Sequence, residues 1–150
     1  MKLPLDKGEF KYECKDISAY DGDSVRCTII KKWDFGFNIH VEQKYDIASR
    51  IIGIDTPELR DSRPDYKAAG FLARDKVRAW LDEEPVIFLS LDKPDKYGRA
   101  LGDFQRADGS RLTNYILDNA LGVSYHGQNK DEVQEAHQKN IDYLKSAGQL

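Results

Sequence analysis

At 150 residues, with 40% hydrophobic and 33% charged side chains and a net charge of −3, the chain has the make-up of one soluble globular domain able to bury its own core. Its mild acidity argues against a protein that coats nucleic acid through bulk positive charge. No apolar run nears the roughly 20 residues that span a bilayer, so no membrane partner is expected. The expected domain covers the whole chain, with its core from about 12 to 147. The Met1–Lys7 stretch has no apolar signal core, so an intracellular location is the expectation, with secretion the alternative if a leader was removed. Cys14 and Cys27 flank an Asp-Gly turn; without zinc spacing or an export signal they read as reduced core thiols near one another across a hairpin.

In chain order, Ile17–Tyr20 runs into Asp21-Gly22, a hairpin signal, and Val25–Ile30 is the returning strand. Trp33–Phe37 forms the far hairpin tip, with its aromatics expected to pack against the barrel rather than stack on bases, and Asn38–Val41 starts the next strand. Tyr45–Ile54 ends in the apolar run of a strand buried on both faces. Ser62 is the expected cap of a first helix, with Pro64 in its first turn and Tyr66, Ala69, Gly70, Ala73, Val77, Trp80 and Leu81 on its apolar stripe. Val86–Leu91 and Leu101–Gln105 are strands, the latter turned by Asp108-Gly109, and Leu112–Leu121 is a second helix. Asp131–Ala147 is a third helix, with Val133, His137, Ile141 and Leu144 on one face and Gly148 beyond its end; His137 reads as structural. Five short strands with one helix between the third and fourth predict an α+β fold: a five-stranded OB-fold β-barrel with three α-helices.

Three fragments carry chemistry: Asp21-Gly22-Asp23-Ser24, Arg50 followed by Ile51–Glu58, and Asp95-Lys96-Tyr97-Gly98-Arg99. Singly, each is a common turn. Together they place carboxylates and two arginines where a phosphodiester could be held and cleaved. Guanidinium forks match phosphate oxygens two at a time and stabilise charge that grows in the transition state. Asp21, Asp23, Asp55 and Glu58, if they converge, repel one another without a cation among them, and oxygen-only donors select calcium or magnesium over zinc or copper.

In this order and spacing the three fragments resemble the staphylococcal nuclease family over roughly Tyr12 to Val123. The resemblance implies calcium ligands at Asp23, Asp55 and the Thr56 carbonyl, with Asp21 in support. It implies Glu58 as the residue that activates or positions water, and Arg50 and Arg99 on the reacting phosphate. Lys96 and Tyr97 match residues near a terminal phosphate of bound nucleotide, and Tyr125-His126 falls where the family places base-contacting aromatics. The implied activity is calcium-dependent hydrolysis of DNA and RNA at the 5′-oxygen side, leaving 3′-phosphates, with magnesium a poorer cofactor and no organic cofactor. A monomer is expected. The alternative is a catalytically silent module that binds single-stranded nucleic acid or a protein partner.

Overall fold

The computed structural model describes residues 9–91 and 93–150; the Met1–Lys7 stretch read above for a signal lies outside them. Five strands close a barrel: β1 (Glu9–Ala19), β2 (Ser24–Asp34), β3 (His40–Ile51), β5 (Val86–Leu91) and β6 (Ala100–Arg106). Neighbours run β1-β2-β3-β6-β5, and among the described residues β3 and β6 form the one parallel pair. Three helices, α1 (Pro64–Glu83), α2 (Leu112–Asp118) and α3 (Lys130–Ser146), complete the predicted five-stranded barrel with three helices. Val25, Ile51, Phe88 and Phe104 fill its interior, and Val77, Trp80 and Leu81 of α1 and Ile116 of α2 join the same apolar cluster. α3 docks separately, through Ile141 on Tyr66 and Ala69 of α1.

Several local expectations are corrected. The Tyr45–Ile54 run is not one strand: β3 ends at Ile51, Gly53 takes a left-handed φ of +73°, and β4 (Ile54–Asp55) leaves to pair with β7 (Val123–Ser124). Ser49, Ile51 and Ile54 are the fully buried residues of that run. Ser62 does not cap α1. Arg63 is the cap residue and makes no side-chain capping bond, while the Asp61 carboxylate accepts from the Arg63 backbone N–H at 2.9 Å. The tip aromatics do not pack on the barrel: Phe35 is 60% and Phe37 94% exposed, because β2 and β3 continue pairing to Asp34↔His40, past the last β1 partner at Ile30, as a free ribbon.

The Asp21-Gly22 hairpin forms for a different reason from the expected one. Gly22 has no positive φ; instead a Cβ there would lie 2.7 Å from Thr56 Cγ2 and 3.0 Å from Ala73 Cβ. Glycine is needed because the turn presses onto β4's end and α1. α2 stops at Asp118, before the predicted Leu121. Leu121 N–H donates to the Ile116 carbonyl and Ala120 N–H to Leu117, with Ala120 at φ +57°. This is a Schellman stop with alanine where glycine is favoured. The two thiols are free, Cys27 buried and Cys14 half-buried.

A candidate active-site cleft

Strand register explains why distant fragments meet. Ser24 at the start of β2 faces Arg50 at the end of β3, and Ser49 and Arg50 lie beside Ala100 and Leu101 at the start of β6. The Asp21–Asp23 turn, Arg50 and Arg99 therefore share one end of the barrel. The Ile52-Gly53 turn then carries Asp55, Thr56 and Glu58 over that end, and the Tyr125 N–H donates to the Gly53 carbonyl at 2.8 Å. A cleft of about 890 Å3 results, lined by Arg50, Asp55, Thr56, Glu58, Lys96, Tyr97 and Arg99.

Arg50 stands between two carboxylates. Its Nη1 is 3.7 Å from Asp23 Oδ2 and its Nη2 3.6 Å from Asp55 Oδ1, and Nη2 also donates to the Ile54 carbonyl at 3.3 Å. The Tyr125 ring centroid lies 5.9 Å from its guanidinium carbon. Asp23 is almost fully buried beneath the cleft rather than lining it. Its Oδ2 accepts from the Thr56 N–H at 3.1 Å, and its own N–H donates to Asp21 Oδ1 at 3.1 Å. Burial first, and then the Asp21 carboxylate, push the Asp23 pKa up to about 7 against the opposing pull of Arg50. Asp21 does not line the cleft.

Glu58 stands at the rim, where the Pro57 and Glu58 backbone is approached closely by α1 at Gly70; a Cβ on Gly70 would come within 2.8 Å of the Pro57 carbonyl. Partial burial, followed by the charges of Asp21 and Asp55, raises the Glu58 pKa, with Arg50 opposing. Among the described residues none hydrogen-bonds the Glu58 carboxylate, which is left to the electrostatic influence of Asp21, Asp55 and Arg50.

Arg99 is held from behind. Its Nε donates to Asp95 Oδ2 at 2.7 Å and its backbone N–H to Asp95 Oδ1 at 2.8 Å, while Nη1 lies 3.4 Å from the Ser24 hydroxyl. Asp95 also accepts from the Tyr97 N–H at 2.9 Å, so one carboxylate shapes the loop that carries Lys96, Tyr97 and Arg99. Tyr97 is 72% exposed, with the Lys96 ammonium 5.1 Å from its ring centroid.

The sequence reading missed three contributors. Asp95 was within the quoted fragment, but its organising role depends on a loop closed by Gly98 at φ +79°. Arg63, stacked 3.4 Å from the Tyr66 ring centroid and paired with Asp61, lines the far half of the cleft; its hydrogen bonds hold the Asp61 pKa down to about 2. His137, read as structural, places Nε2 2.7 Å from Asp55 Oδ2. A polar residue on an otherwise apolar helix stripe was the signal available for it. Tyr125 and His126, noted from the sequence, do line the cleft.

Among the described residues, no three His, Cys, Asp or Glu side chains form a group that could hold a metal ion. The candidate donors are two carboxylates and a carbonyl, all oxygens, and both carboxylates converge on the single guanidinium of Arg50. Oxygen donors of this kind match the preference of hard divalent cations over softer ones. Among the described residues no helix is long and apolar enough to cross a membrane.

The family model described as "Staphylococcal nuclease homologue" matches residues 48–149. No curated protein matches the chain significantly. The matched region takes in Arg50, Asp55, Thr56, Glu58, Lys96, Tyr97 and Arg99 and leaves out the Asp21–Asp23 turn.

Proposed function

The chain belongs to the staphylococcal nuclease family, and from that premise we propose that it is a metal-dependent phosphodiesterase acting on DNA, RNA or both. The observation that supports this best is one cleft lined by Arg50, Arg99 and Glu58 at the rim of the barrel.

In the proposed reaction, Arg50 and Arg99 hold the scissile phosphate. Their forks bind its equatorial oxygens and gain strength as charge builds there in the transition state. Glu58 orients the attacking water and takes its proton; its raised pKa moves it toward the working range of a general base. The new bond is from water oxygen to phosphorus, and the bond to the 5′-oxygen breaks; that oxygen leaves with the electron pair and takes a proton from solvent as a 5′-hydroxyl, leaving a 3′-phosphate. Lys96 and Tyr97 hold a terminal phosphate of the bound strand, and Tyr125 offers a ring for base contact. Asp23, Asp55 and the Thr56 carbonyl, with Asp21 in support, would hold calcium, and magnesium less well because its octahedral demands are stricter. When bound, the ion polarises a phosphoryl oxygen as a Lewis acid. We propose a monomer working inside the cell, without an organic cofactor.

The lack of a three-side-chain metal group among the described residues favours a second reading, a silent module that binds single strands or a protein. One assay separates the two: hydrolysis of labelled single-stranded DNA, duplex DNA and RNA, each with calcium, magnesium or chelator. Cleavage that depends on the cation supports the enzyme; binding without cleavage under every condition leaves the silent module.

A further inference from the structure

His137 is 2% exposed on the inner face of α3, between Val133 and Ile141. Its Nε2 lies 2.7 Å from Asp55 Oδ2, while its Nδ1 is buried without a hydrogen-bond partner. To bond a carboxylate, Nε2 must carry a proton and donate. An orphaned buried nitrogen is unfavourable, and a leucine would fill this stripe without one. What the imidazole adds at this position is its bond to Asp55.

That bond divides the Asp55 carboxylate into two faces. Oδ2 is held by His137 from α3, and Oδ1 points to Arg50 Nη2 at 3.6 Å. Asp55 sits at the end of the two-residue strand β4, and among the described residues the bond from His137 is the hydrogen bond on its carboxylate, the Arg50 contact being longer at 3.6 Å. We propose that His137 is a positioning residue: it fixes the rotation of the Asp55 carboxylate and so sets the cation affinity of the cleft. This inference rests on the reading of Asp55 as a calcium ligand. It also gives α3 a role beyond packing, because docking of the last helix then prepares a site on the far side of the chain. Partners that orient a ligating carboxylate or imidazole typically carry a 10–100-fold share of metal affinity.

The test is calorimetric titration of calcium chloride into the full chain, alongside its melting temperature in chelator. The variants are His137→Leu, which fills the space without a donor, and His137→Gln, whose amide N–H can still reach Asp55. The leucine variant should bind calcium about 10–100-fold more weakly, and the glutamine variant should recover most of that loss. If leucine does not fold, His137→Asn, too short to reach Asp55, takes its place. A falling melting temperature with unchanged calcium affinity makes His137 merely structural and overturns the proposal alone. Absence of calcium binding by the wild type overturns the metal reading and this proposal together.

Discussion

The backbone N–H of Thr56 donates to Oδ2 of Asp23 at 3.1 Å, tying the β1–β2 turn to the end of β4 across 33 residues. Asp23 is thus both a strut and a buried charge. Its pKa rises from 3.8 to about 7 in the folded protein, so the folded state holds the proton more tightly than the unfolded chain. Stability should therefore fall as pH rises from about 4 to 7 and level off above that. Metal-free Asp23→Asn, which lacks the charge, should melt close to the wild type near pH 4 and above it at pH 8. Each kcal/mol moves the midpoint by roughly 2–4 °C at this chain length, so scanning fluorimetry resolves the divergence. Parallel pH curves would remove Asp23's charge from the balance.

Arg50→Lys and Arg99→Lys should each lose roughly a hundredfold or more in turnover while keeping the fold, since a point charge cannot replace a fork on a phosphate. For Arg99 the loss has a second source. A lysine there cannot donate from an Nε to Asp95, so the loop that carries Tyr97 should loosen as well. Near-wild-type rates in both variants would take the arginines off the phosphate.

Glu58→Gln should cut turnover strongly yet leave calcium binding near the wild-type level, because the role proposed for Glu58 is on water. Calorimetry that shows calcium binding lost along with activity would move Glu58 into the metal's own shell.

Ala120 at φ +57° occupies the left-handed position of the α2 stop. An L side chain there costs about 1–2 kcal/mol, part of which glycine recovers. Ala120→Gly should raise the melting point by roughly 2–4 °C without touching activity. A lower melting point would show that the Ala120 methyl contributes more by packing than it costs in strain.

Phe37, at 94% exposure on the ribbon tip, should tolerate serine with a stability change within about 0.5 kcal/mol. Urea titration of Phe37→Ser measures this, and a loss above 1 kcal/mol would mean the tip packs against the protein after all.

The sequence by itself determined the barrel with its three helices and marked the residues that later meet at the cleft. Branched and aromatic alternation marked the strands, the Tyr66–Leu81 stripe marked α1, and three short charged fragments in a set order named both the fold and the cleft's arginines and carboxylates. Such signals are local, so residues a few positions apart suffice to carry them. What only the tertiary structure decided depends on approach between distant segments. Gly22 is glycine because Thr56 comes within reach of it, which its own turn does not reveal. The ribbon aromatics are exposed because β2 and β3 outrun β1, a matter of relative strand length. His137 turned from a core residue into a partner of Asp55 because α3 docks 82 residues away from β4 in sequence yet 2.7 Å away in space. No periodicity within one helix encodes what lies across from it.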